Sequence, residues 1–382
     1  MNKRAGGCLG LLLAACLLFL PARTLAVDAA AAVVIEQGSG RGLFAQNETE
    51  RVPMASTTKI MTALVTLENS CLSDRLTIDP SCVGIEGSSA YLEAGEEQTV
   101  ENLLYALMLR SGNDAAEALA LHVGGTRDGF IELMNRRAES LGLMDTRFEN
   151  PHGLPAEGHY TTALDLAKIT REAYEYEAFR QIVSTKWKAI PWDGRQYDRA
   201  MANKNKMLDL YEGANGVKTG YTKAAGRCLV SGALRDQMQL ICVVLNCPDM
   251  WNVSMDLLDA AFGEYEMVDV LDCLLPVCAL PIEGAQEGET VSLLPEYDVS
   301  LPLRVDECAQ VTLHVPVSVT LPVARGQHLG YASVSVGGEE YYEVALYADR
   351  DLAAPRPRLW ISLLAVLRGW CGINDWEGFF DK

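Results

Sequence analysis

The sequence lacks any Cys-x-x-Cys pair, and its cysteines and five histidines show no paired spacing of a zinc site. That disfavours a metal-dependent peptidase. Positive charge is also scarce: 32 lysines and arginines stand against 51 aspartates and glutamates, giving a net charge of −19 and a pI near 4.7. Nucleic acid is a poor partner for such a surface, because phosphate binding needs basic groups. The N-terminal apolar run, Leu9 to Leu20, is cut by Pro21 and Arg23, short of the roughly 20 residues of a bilayer span. With Lys3 and Arg4 before it and Thr24-Leu25-Ala26 after it, residues 1–26 read as a secretory signal peptide cleaved after Ala26, so the chain is expected to be exported. Lipid attachment at Cys16 ranks below this, since the apolar run continues past it. An odd number of cysteines remains after the leader, a pattern that allows disulfides without demanding them.

At 382 residues and 49% hydrophobic content, the chain exceeds one average domain and two folded units are expected. Ala31 to Gln37 and Leu43 to Gln46 read as strands joined by a glycine-rich hairpin. Apolar spacings of three and four predict helices over Thr58 to Leu67, Val100 to Leu109, Asp114 to Val123 and Gly129 to Leu141. Thr161 or Thr162 caps another, running to about Tyr174. Gly226 to Leu234 and Gln239 to Asn246 predict adjacent strands, and Met250 to Phe262 a closing helix. Strands from both ends with helices between them make residues 27–272 an α+β domain. Residues 273–350 then alternate apolar and polar positions between prolines and glycines, as a small all-β domain does. In residues 351–382, arginines flank Leu359 to Leu367 ahead of Trp370, Trp376, Phe379 and Phe380. That composition suits a membrane surface, with a helix packed on the protein itself as the alternative.

Three short motifs carry the candidate chemistry. In Ser56-Thr57-Thr58-Lys59, a helical spacing of three returns Lys59 to the face of Ser56. A serine hydroxyl needs a base, and a lysine serves when it is kept neutral. Alone this pair is weak, since about one or two arise by chance in a chain of this length. Ser111-Gly112-Asn113 falls in a break between helical patterns, where Ser111 can pass a proton and Asn113 can fix a substrate amide; a plain turn uses the same residues. Lys218-Thr219-Gly220 lies on an expected edge strand. There Lys218 and Thr219 can grip a carboxylate and Gly220 admits the substrate backbone. The Tyr221 amide, with that of Ser56, is then free to stabilise an oxyanion. His152 raises the question of a Ser–His pair, but no Gly-x-Ser-x-Gly elbow surrounds Ser56 and a lysine already stands in place, so His152 is read as structural.

In this order the three motifs resemble the active site of penicillin-binding proteins and serine β-lactamases. The stretches Glu86 to Leu92, Leu109 to Ala116, Asn150 to Leu154 and Gly216 to Thr222 are similar to those of the low-molecular-mass D-alanyl-D-alanine carboxypeptidases. The resemblance spans about Ala30 to Val270 and implies a β-lactamase/DD-peptidase-like domain followed by a small all-β domain. It implies that Ser56 attacks the bond between the last two D-alanines of a peptidoglycan stem peptide, with Lys59 as base and Ser111 as proton relay. It further implies acylation by β-lactam antibiotics and no metal or organic cofactor. Glu149 stands in a stretch comparable to the water-activating loop of some β-lactamases, yet Asn150-Pro151-His152-Gly153 follow the carboxypeptidase pattern. The alternatives are a β-lactamase or DD-endopeptidase of this fold, or an inactive penicillin-binding scaffold.

Overall fold

The computed structural model describes residues 26–283 and 288–353. Residues 1–25 of the expected leader and residues 354–382 of the expected membrane-facing segment lie outside the described residues. No helix among the described residues is long and apolar enough to cross a membrane.

The first part of the chain runs β1 (Ala31–Glu36), β2 (Gly42–Gln46), α1 (Lys59–Asn69), β3 (Arg75–Thr77), β4 (Glu97–Thr99), α2 (Val100–Leu109), α3 (Asn113–Gly124), α4 (Arg127–Ser140) and α5 (Ala163–Tyr174). It continues with α6 (Glu177–Ser184), β5 (Trp187–Ile190), β6 (Arg199–Ala202), α7 (Met207–Leu210), β7 (Ala214–Thr222), β8 (Gly226–Arg235), β9 (Met238–Leu245) and α8 (Met250–Glu264). One antiparallel sheet holds the order β2-β1-β9-β8-β7, so the Lys218 strand is at its edge.

Successive side chains of a strand point to opposite faces, and here both faces are covered. Ala31, Val33 and Ile35 of β1 enter the larger core with α1 and its neighbouring helices. Ala32 and Val34 enter a second core beneath Leu257, Leu258 and Ala261 of α8. Double burial is why β1 and β9 read as unbroken apolar runs. Within the larger core every side chain from Lys59 to Thr66 is buried, which takes Lys59 away from water. Thr162 proves to be the cap of α5, accepting from the Asp165 amide at 3.0 Å.

An all-β unit follows. Glu266–Leu271 pairs with Val299–Leu303, and six further strands form a separate sheet. Leu271, Val291, Leu293, Leu301, Val334 and Val344 build its own core. Strand structure starts at Glu266, ahead of the composition change after Asp272, because this mostly exposed strand carries too many acidic residues to stand out by hydropathy. Arg41, from the β1–β2 turn, reaches into this unit. Its guanidinium donates to the Pro302 carbonyl and to Glu307 Oε1, the latter at 2.6 Å. It also lies 5.5 Å from the Tyr265 ring centre and 5.7 Å from that of Tyr341. All eight cysteines among the described residues are free thiols.

Candidate active site

Ser56 sits in one turn of 3-10 helix, Ala55–Thr58, that leads directly into α1. The spacing of three brings Lys59 Nζ to 3.2 Å from Ser56 Oγ. Nζ is also 2.8 Å from Asn113 Oδ1 and 2.5 Å from the His152 carbonyl oxygen. Burial holds the Lys59 pKa well below the usual lysine value, and the charges of Lys218 and Lys204 push it further down against a smaller pull from Asp114. A neutral lysine has two N–H donors and one lone pair. In that neutral form the two carbonyl oxygens can take the donors and leave the lone pair for the Ser56 hydroxyl.

Two non-glycine residues beside this contact hold left-handed backbone: Ala55 at φ +48° and Ser111 at φ +62°. That conformation costs an L-residue about 1–2 kcal/mol and persists only where packing enforces it. At Ala55 the stretch from Asn150 to Gly153 supplies the packing. Asn150 Oδ1 accepts from the amides of His152 and Gly153 at 3.3 and 2.6 Å. The Pro151 carbonyl accepts from Thr62 Oγ1 at 2.6 Å, beside the His152 carbonyl that receives Lys59. Gly153 has φ +90°, and a Cβ there would stand 1.9 Å from the Ala55 carbonyl oxygen.

Ser111 fills the break between α2 and α3, and its hydroxyl makes no hydrogen bond among the described residues. It lines a cleft of about 290 Å³ with Ser56, Thr219, Gly220 and Tyr221. Asn113 opens α3, and its Nδ2 donates to the Glu86 carbonyl at 2.5 Å. Each end of its amide makes one bond, which leaves one N–H and one oxygen lone pair available to a substrate amide. Lys218 is buried and donates to the Thr219 carbonyl at 2.9 Å. Burial, then the charge of Lys204, lowers its pKa to about 7. Gly220 has a neighbour the sequence did not indicate. A Cβ there would lie 3.1 Å from both the Met54 carbonyl oxygen and the Ser56 amide, so its bare Cα admits the protein's own Ser56 turn. Tyr221 is largely exposed at the rim.

Sequence reasoning missed several residues that shape this place. Asp114 accepts from the amides of Ala90 and Leu92 and from the Ser89 hydroxyl, pinning the Glu86 to Leu92 stretch as a wall. Lys204 Nζ donates to Ser88 Oγ at 2.9 Å. With Arg110 it reaches a second cleft beside Ser56, about 400 Å³ in volume, and no acidic residue is among those lining it. In a chain of net charge −19 that is an anion-accepting groove. Lys204 gave no signal because it sits in a loop, outside any of the three motifs. His152, by contrast, is as expected. Its Nε2 faces Glu117 Oε1 at 3.0 Å and its Nδ1 accepts from the Leu154 amide at 3.2 Å, so neither nitrogen bonds Ser56.

Comparison with known proteins gives the same reading. The D-alanyl-D-alanine carboxypeptidase family profile of peptidase S11 type matches residues 20–249, and the C-terminal domain profile of penicillin-binding protein 5 matches residues 283–354. The chain is 31% identical over 339 residues to the D-alanyl-D-alanine carboxypeptidase DacF of Bacillus subtilis, covering 86% of this chain and 87% of that one. Penicillin-binding protein 5 of Haemophilus influenzae superposes with a TM-score of 0.71 at 26% identity, covering 86% of this chain and 98% of the other. A serine-to-alanine mutant of the Streptomyces K15 DD-transpeptidase superposes with a TM-score of 0.60 at 33% identity, over 62% of this chain and 99% of its own. The chain belongs to the D-alanyl-D-alanine carboxypeptidase family of serine peptidases.

Proposed function

We propose that Ser56 Oγ is the nucleophile that releases the terminal D-alanine of peptidoglycan stem peptides, and that Lys59 is its base. The observation that carries this is the 3.2 Å contact between Ser56 Oγ and a buried lysine whose other partners are both carbonyl oxygens. Lys59 takes the hydroxyl proton as Oγ bonds to the scissile carbonyl carbon, and the amides of Ser56 and Tyr221 hold the resulting oxyanion. The peptide bond then breaks, and its nitrogen leaves as the amine of free D-alanine with a proton passed through Ser111. Water hydrolyses the ester and restores Ser56. Lys218 and Thr219 hold the terminal carboxylate, drawn in by the acid-free cleft that Lys204 and Arg110 line.

β-Lactams enter as mimics of the same peptide and acylate Ser56. Rapid antibiotic turnover is not expected, since Glu149 lines neither cleft beside Ser56 and its neighbours Asn150-Pro151-His152-Gly153 follow the carboxypeptidase pattern. The test is a synthetic peptide ending in D-Ala-D-Ala, with D-alanine measured in solution, beside proteolytic mapping of the penicillin adduct. Release together with an adduct on the peptide containing Ser56 supports the proposal. A folded sample giving neither refutes it.

Export and surface attachment complete the proposal. The leader-like residues 1–26 support release outside the cytoplasm, and the arginine- and tryptophan-rich residues after Pro355 support a hold on the membrane surface. Deleting the residues after Pro355 is expected to move the protein from the vesicle pellet to the supernatant in a sedimentation assay. A truncated form that still pellets with lipid refutes the attachment.

A further inference from the structure

The loop that closes over the nucleophile turn ends at His159, which the chemistry above does not use. Its ring is buried, and its two nitrogens have opposite roles. The Glu149 amide donates to Nδ1 at 3.0 Å, so Nδ1 carries the lone pair. Nε2 therefore holds the proton and donates to Thr58 Oγ1 at 2.8 Å. The Thr58 hydroxyl donates in turn to the Ala55 carbonyl, also at 2.8 Å. The result is a one-way chain from the Glu149 amide through imidazole and hydroxyl to the residue just before Ser56. Its end point is the strained Ala55, whose carbonyl is also the surface on which Gly153 packs.

We propose that His159 is a positioning residue for the nucleophile, holding the Ala55 turn through Thr58 so that the Ser56 hydroxyl and amide keep their acylation geometry. The inference rests on Ser56 being the nucleophile, as proposed above. It explains why a polar ring lies buried beside α1, edge-on to Phe148 with ring centres 6.0 Å apart. Only the neutral ring fits, because a proton on Nδ1 would point at the Glu149 N–H. Burial, helped by the nearby His152 and Lys59, lowers the His159 pKa to about 4, so the arrangement stays set through the neutral range.

The test uses the full chain carrying His159→Phe, His159→Gln or Thr58→Val, reading kcat, KM, penicillin acylation rate and thermal unfolding. Phenylalanine keeps the ring and loses the donor; glutamine keeps an N–H near the position of Nε2. A displacement of order 1 Å at a reacting group costs about a hundredfold in rate. We therefore expect His159→Phe to lower kcat and acylation roughly ten- to a hundredfold at nearly constant KM, and His159→Gln to recover most of that loss. Adding Thr58→Val to His159→Phe should cost little more, because both cut one chain. A folded His159→Phe variant with the parent's kcat overturns the proposal, as do additive losses or a drop confined to thermal stability. Should that variant not fold, Thr58→Val alone decides, and an unchanged kcat overturns it. Loss of the Ser56 adduct from the parent would refute the nucleophile assignment instead.

Discussion

Ser56→Ala is expected to abolish both the penicillin adduct and D-alanine release, while Lys59→Met lowers acylation by roughly three orders of magnitude, the scale of a lost general base. Lys59→Arg should be as poor as Lys59→Met. A guanidinium does not deprotonate in the accessible range, so it offers no lone pair to the hydroxyl. The three variants separate charge from basicity: if arginine keeps the rate, Lys59 acts only as a positive charge and the base lies elsewhere. The acylation rate of the parent should rise with pH through the lowered Lys59 pKa, and this limb should vanish in Lys59→Met. Stability follows the same sign. Lys218 folds with a pKa near 7 against 10.5 for the free side chain, so the unfolded chain binds the extra proton between these values. Its contribution is fully present above about pH 10.5 and is lost as pH falls to about 7. Lys218→Met should flatten that part of a thermal-unfolding profile.

Gly153→Ala should damage both folding and activity, although it adds only one methyl. The new Cβ would meet the Ala55 carbonyl oxygen at 1.9 Å, and the residue would have to hold φ +90°. The clash cannot be relieved by a flexible side chain, since the two nearest atoms are Ala55 backbone. Moving the loop away removes the His152 carbonyl from Lys59 and the Pro151 carbonyl from Thr62. A loss of about 3 kcal/mol or more is the scale for combined overpacking and backbone strain. The midpoint of denaturant unfolding should fall accordingly, and the surviving folded fraction should acylate slowly. A variant with the parent's midpoint and rate would show that the loop does not clamp the turn.

What the sequence made legible was mostly local. Lys59 returns to Ser56 because three residues make nearly one helical turn, and Thr162 caps α5 because a threonine oxygen meets the third amide onward. The doubly buried strands and the helices around the Ser111 break were readable for the same reason. Long-range partners were not. His159 meets Thr58 across 101 positions and Lys204 meets Ser88 across 116, and no periodicity relates such pairs. The paired strands β3–β4 and β5–β6 are only three or four residues long, too few to establish alternation. The role of Gly220 was half legible: an absent side chain was evident, but which backbone would fill the space depends on β7 lying against the Ser56 turn.

The join made by Arg41 bears on reach. A side chain from the sheet's first turn, bonded to Pro302 and Glu307 and set beside two tyrosine rings, is a rivet between the cutting head and its stem. A head joined in this way has fewer orientations open to it than one on a bare linker. If the residues after Pro355 hold the membrane surface as proposed, that narrowed orientation sets a preferred height for the cleft, and wall strands lying at that height are the ones trimmed first.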